Sequence, residues 1–365
     1  MARATTFQKY LLPGFVFQSV VIAGGYGTGR ELVEFFLSYG PVGGLLGMLG
    51  VSMVIWSLVC AATFELARIF RTREYRHFFQ ELLGRFWVLF EICYLVLLLI
   101  VLAVVASAAG SILQEVFGFP YIVGVLGILL AVGSLVFLGT SAIERFLAGW
   151  SFLLYAVYGI FFVACVYSFG DRIGAVLSQM EIKSGWFVGG VEYAAYNLGV
   201  VPAILFVTRH FETRREAVGA GLLAGPIAMI PALFFLIAVS GFYPEVVSET
   251  VPANFMLLQL GSSGFQILFQ LVLFGTLIET GTGFIHAVNE RIAGVYEDKG
   301  KELQTWVRPV LSTGLLVLGA LIAQFGLTGL IAQGYGTITW GFVVVYVIPV
   351  LTLGVWKIWR ADSVS

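Results

Sequence analysis

Residues 92–114 and 146–170 contain no charged side chain, and both runs are mainly apolar. Each is longer than the roughly 20 residues that carry a helix across a ~30 Å hydrocarbon core. Similar runs recur from end to end, and they leave little choice of environment. Of 365 residues, 59% are hydrophobic and 11% charged, with a mean hydropathy of +0.96. A soluble domain carries about 25% charged residues, so this chain has too little polar surface to coat a water-exposed fold. The composition predicts an integral, all-α membrane protein. A formal net charge of −1 provides no basic field for nucleic acid. Cys60, Cys93 and Cys165 lie in apolar runs, and an odd buried set reads as packing rather than a disulfide framework. Arg3 and Lys9 before the apolar run 10–22, then Ala23-Gly24, have the look of a signal peptide. The apolar character resumes after the glycines, so the run reads as the first half of a membrane helix.

Ten segments are long and apolar enough to span: 10–39, 43–68, 87–113, 121–139, 146–169, 186–208, 217–242, 265–293, 307–326 and 329–358. The polar stretch 72–85 is expected along the cytoplasmic interface, and 171–184 along the outer one. With the N-terminus inside, 17 of the 20 Lys and Arg fall in inner segments. Only Arg172 and Lys183 fall outside, and Arg30 lies within the first span. This positive-inside asymmetry supports the count of ten and puts both termini in the cytoplasm. Cell-membrane localisation in a prokaryote is the expectation.

Two spans contain helix breakers. The first holds Ala23, Gly24, Gly25, Tyr26, Gly27, Thr28 and Gly29, and each glycine costs about 1 kcal/mol relative to Ala in a helix. Counted from Pro13, Gly24 lies about 16 Å deep, near the midplane. The sixth span reads Tyr196-Asn197-Leu198-Gly199-Val200-Val201-Pro202. Counted from Trp186, Asn197 is at a similar depth of about 16 Å. Helix one starts inside and helix six outside, so the halves 10–170 and 185–360 have inverted topology. Interrupted spans at matching places in inverted halves mark a transport site, because unwound backbone in a membrane must face protein or a wet cavity. The half-helix start at 28–31 would suit an anionic group, and the end of the preceding half of helix six a cation. Gly43, Gly47 and Gly50 read as close-packing residues on helix two. Gly334-Tyr335-Gly336-Thr337 echoes the first break but not at the repeat-equivalent place, and reads as coincidence or a flexible entry to helix ten.

Charges inside a membrane need a reason. Arg30 and Glu34, four apart, are expected to pair or to gate the outer side, unless Arg30 contacts a substrate carboxylate. Glu192, before the second break, either receives an ammonium group or pairs with Arg30. On helix eight, Thr276, Glu279, Thr280, Gly283, His286, Ala287 and Glu290 form a polar and small stripe expected to face the bundle. Glu279 is the candidate for holding a cation or carrying a proton, with the Thr276 and Thr280 hydroxyls beside it. Tyr26, Tyr193 and Tyr196 flank the breaks as candidate lids. Glu65 and Glu91 read as partners for nearby arginines.

Ten helices in two inverted fives, with the first and sixth broken, resemble the LeuT-type fold of the amino acid–polyamine–organocation superfamily. Gly25-Tyr26-Gly27-Thr28-Gly29-Arg30-Glu31 and Tyr193-Ala194-Ala195-Tyr196-Asn197 are similar to motifs of the YkvI-type amino-acid permeases. The resemblance implies alternating access, with a carboxylate held by the amides of 27–29 and an ammonium by the carbonyls of 193–196. It implies Na+ or H+ as coupling ion and no other cofactor. Ala23, Thr276 and Thr280 would supply a sodium site. Helix five lacks the lysine that some proton-coupled relatives use, which leaves Glu279 as the proton candidate. The expected function is an ion-coupled symporter of a small zwitterionic solute, an amino acid or related amine. A solute sensor on the same fold and a metal or other organic-solute carrier are the alternatives. An enzyme is not expected, for want of a metal signature or an acidic catalytic pair. Partners are the small-molecule substrate and the lipid bilayer, without nucleic acid, and the oligomeric state is left open.

Overall fold

A computed structural model describes residues 5–22, 24–72, 75–138, 140–298, 304 and 306–362. Among them the regular structure is helical, with no strand. By length and composition, six stretches could cross a membrane: Pro41–Phe70, Tyr75–Phe117, Leu153–Ser178, Arg214–Ser240, Ser263–Ala293 and Leu327–Ala361. Tyr121–Phe137 and Val307–Ala323 are shorter apolar helices. These eight cover all the expected segments except 10–39 and 186–208. The outward surface is greasy, as a lipid-facing surface must be: Leu130, Val163 and Val344 are each more than half exposed. With no hydrophobic drive between helices in lipid, close packing decides which helices meet. Gly221 and Gly225 of helix Arg214–Ser240 accordingly sit against the backbone of Ala61 and Met53, and Leu12–Val21 lies along the same helix.

The stretch 72–85 contains the short helix Tyr75–Leu83, which buries Phe78, Phe79 and Leu82. Phe79 stacks on Phe90 with ring centroids 3.7 Å apart. The stretch 171–184 does not lie as an outer surface segment throughout. Helix Thr140–Ser178 runs on past Asp171 and Arg172 and ends before Met180, which has φ 52°. Charged residues end an apolar run but not a helix, since water satisfies them once the helix leaves the bilayer. A further short helix, Pro252–Leu260, was not expected. It starts with proline in its first turn and ends at Gly261 with φ +68°, the usual asymmetry of helix ends. Of the three glycines read as packing residues, Gly47 meets the Trp186 carbonyl, whereas Gly50 faces open space.

The segments 10–39 and 186–208 are built from shorter pieces. Helix Leu12–Val21 stops at Ile22 (φ −72°, ψ 88°), Gly24–Gly27 forms a single turn, and Arg30–Phe35 follows. Helix Trp186–Leu198 ends in a turn at Gly199 and Val200, and the tighter 3-10 helix Val201–His210 continues.

Candidate functional site

In the first of these segments, Gly29 adopts φ +79°, a conformation that L side chains rarely take, and its Cα faces the Phe235 ring. Its N–H bonds the Tyr26 carbonyl at 2.9 Å, and Thr28 Oγ1 donates to the Gly25 carbonyl at 3.0 Å. From outside the segment, Tyr158 donates to the Gly27 carbonyl at 2.7 Å. The turn folds the Glu31 side chain back over the glycines. Its carboxylate lies so close to Gly25 that a Cβ there would overlap Oε1. Glu31 is buried, at 1% exposure. Arg30–Phe35 has six residues, too short to build the end charge expected for an anion at 28–31. Ala23 lies outside the described residues, and Gly24 opens the single turn.

The second segment is clamped from outside itself. Ser52 Oγ donates to the Gly190 carbonyl at 2.6 Å, Trp56 Nε1 to that of Ala194 at 3.1 Å, and Thr339 Oγ1 to that of Glu192 at 3.0 Å. This sets Tyr196 against the first segment, where its hydroxyl donates to Glu31 Oε2 at 2.6 Å. The other face of the Tyr196 ring stacks on Tyr335, with centroids 4.4 Å apart and planes within 6°. Asn197 Nδ2 donates to the Tyr193 carbonyl at 3.0 Å. Glu31, Tyr196, Asn197 and Tyr335 line one cavity of about 20 Å³, together with apolar neighbours including Phe284. That volume is about that of a single water. Tyr193 is packed among Phe35, Phe36 and Trp56, and both its hydroxyl and that of Tyr26 are buried without a partner. The side chain of Pro202 lies outside the described residues.

Arg30 pairs with Glu34, and its Nη1 donates to the carbonyls of Val247 and Glu249 at 2.8 and 3.0 Å. The alternative pairing of Arg30 with Glu192 does not form. Glu34 is one turn away on the same helix, whereas Glu192 is half-buried and near Glu34. The Ala253 N–H bonds the Thr28 carbonyl at 3.0 Å, so the 245–260 connection is fastened to this segment at several points.

Helix Ser263–Asp298 turns Leu273 toward Gly27 and Phe284 toward the cavity. At 100° per residue Thr280 shares that face and Thr276 its edge. Thr276 Oγ1 is bonded to the Val272 carbonyl at 3.0 Å. Glu279 lies further round. Tyr155 of the neighbouring helix donates to Gln18 at 2.9 Å. Glu279 is half-buried and does not line the Glu31 cavity. The side chains of Ala287 and Glu290 lie outside the described residues. Glu65 holds Arg68, and Glu91 pairs with Arg291. Among the described residues, no three His, Cys, Asp or Glu side chains converge as a metal site requires.

Two residues of this arrangement were not among the candidates. Glu31 was read only as part of a helix start, although its place within Gly25-Tyr26-Gly27-Thr28-Gly29-Arg30-Glu31 was a signal. Tyr335 sits in the second Gly-Tyr-Gly-Thr sequence, set aside as coincidence; its ring packs on Tyr196.

Comparison with solved structures gives the class: the chain has the LeuT-type fold. It superposes on the structure of MhsT in complex with L-phenylalanine with a TM-score of 0.59, at 14% identity, covering 98% of each chain. It also matches a mutant of the manganese transporter of Eremococcus coleocola with a TM-score of 0.50, at 15% identity, over 96% of this chain and 87% of that one. In sequence it is 22% identical over 332 residues to the uncharacterized membrane protein YkvI of Bacillus subtilis (strain 168), covering 88% of this chain and 89% of the relative. No protein-family model matches the chain.

Proposed function

We propose that the chain is an ion-coupled secondary transporter of a small solute bearing an ammonium group, an amino acid or related amine, working by alternating access. The process is transport rather than catalysis. One observation carries the reading: a buried carboxylate from one discontinuous segment, Glu31, meets a hydroxyl from the other, Tyr196, at a small cavity. A site shared by two interrupted segments can pass from one side to the other when they move apart. The L-phenylalanine complex of MhsT supports an amino-acid-like cargo within this fold.

In this reading the chain makes ten spans in a cell membrane with both termini cytoplasmic. Residues 10–170 and 185–360 form inverted repeats, and the first and sixth spans are the discontinuous ones. Gly24, Gly25, Tyr26, Gly27, Thr28 and Gly29 on one side, and Tyr193, Tyr196 and Asn197 on the other, contact the solute. Arg30, Glu34 and Glu192 close the outer side. Ala23, Thr276, Glu279 and Thr280 serve Na+ or H+. The manganese transporter of the same fold keeps a metal cargo as a second reading. Equilibrium binding of labelled amino acids and amines to the purified protein, with Mn2+ as competitor, tests the choice. Saturable binding of an organic solute untouched by Mn2+ is expected; Mn2+ binding alone would reverse it.

A further inference from the structure

We propose that Glu31 is the counter-charge for the solute's ammonium group, and that the solute therefore lacks a carboxylate of its own: a primary amine rather than an amino acid. This rests on the transport reading and narrows its substrate class. The place where the glycine turn offers backbone to an anion is already occupied. Glu31 lies across Gly25, and the Gly29 N–H is bonded to the Tyr26 carbonyl at 2.9 Å. A solute carboxylate entering there would find the Gly29 donor engaged and the Glu31 carboxylate beside it.

Glu31 also has a need that its present neighbours do not meet. It is buried, and the Tyr196 hydroxyl that donates to it is neutral. No Lys or Arg pairs with it among the described residues, and Arg30 next to it points away to Glu34, Val247 and Glu249. A buried carboxylate calls for a cation or a proton. The surroundings suit an organic cation: Tyr196, Tyr335 and Phe284 line the cavity beside the carboxylate, and aromatic rings attract ammonium groups. The cavity of about 20 Å³ must widen to admit the rest of the solute, as the parting of the two segments would allow.

Matched pairs that differ only in the carboxylate decide the matter: 2-phenylethylamine against L-phenylalanine, and isoamylamine against L-leucine. Binding and accumulation are measured with the full-length protein in proteoliposomes. The amine of each pair is expected to bind at least tenfold tighter. Glu31→Gln should weaken amine binding about 100-fold, the order expected when one partner of a buried charge pair is removed. Glu31→Gly, which frees the turn, should move preference toward the amino acid. The wild-type comparison stands even if neither variant folds. Accumulation of L-phenylalanine or L-leucine in preference to the amines would overturn this proposal and leave the transport reading intact. Amine binding undiminished in a folded Glu31→Gln variant would also overturn it. Failure of every solute to bind or accumulate would remove both readings together.

Discussion

Tyr196 and Glu31 are 165 positions apart in the chain, yet the Tyr196 hydroxyl donates to the Glu31 carboxylate at 2.6 Å. It is a direct polar link between the two segments in which helix gives way to turn. A buried hydrogen bond to a carboxylate contributes about 1.5–3 kcal/mol. Tyr196→Phe keeps the ring stack on Tyr335 and removes only the hydroxyl, so solute affinity should fall about tenfold or more with little change in thermal unfolding. Equilibrium binding checks this, and unchanged affinity would place the solute away from this bond.

Gly25 and Gly27 should respond differently to a methyl group. At Gly25 it would strike the Glu31 carboxylate, whereas at Gly27 it would meet the movable end of the Leu273 side chain. Gly25→Ala is therefore expected to abolish uptake and Gly27→Ala to reduce it severalfold at most. The bulkier Gly27→Leu should block solute binding. Initial uptake rates normalised to membrane expression make the comparison. Equal loss in the two alanine variants would argue against a special role for the contact between Gly25 and Glu31.

Arg30 ties its own helix to the 245–249 connection through two carbonyls and to Glu34 through an ion pair. Arg30→Ala releases both ties. It should favour states open to the outside, raising severalfold the labelling of Asn197→Cys by a membrane-impermeant thiol reagent in a background without Cys60, Cys93 and Cys165. Slower labelling from that side would mean that Arg30 does not hold the outer closure.

Glu279 is half-buried on the helix that carries Thr276 and Thr280. Glu279→Gln is expected to abolish ion-driven accumulation while leaving solute binding and folding in place, because only the charge changes. Uptake driven by an imposed ion gradient, set beside equilibrium binding, separates the two effects. Full accumulation by the variant would exclude Glu279 from coupling.

Much of the helical layout was legible because apolar length is a local property. Eight of the ten expected segments coincide with long or short apolar helices. The exit of Thr140–Ser178 from the apolar region was not legible, since Asp171 marks where hydrocarbon ends rather than where hydrogen bonding does. The glycines at 24–29 drew attention to this segment, but not to where Glu31 would point. That depends on the positive φ of Gly29 and on a tyrosine from a distant segment. Tyr335 was hidden for the same reason, as ring stacking across the bundle leaves no periodicity in the chain. The stripe through Glu279 was a true helical face, but its orientation is set by neighbours: Leu273 and Phe284, not Glu279, turn toward the first segment and its cavity.

Uptake by proteoliposomes under an imposed sodium gradient, an imposed proton gradient, or neither tests the central claim most directly. Labelled amino acids and amines are supplied outside, and protein-free vesicles set the background. The account predicts solute accumulation above equilibrium with one of the gradients and none without it. Saturable binding with no accumulation under either gradient would contradict it and point to a solute sensor on the same fold.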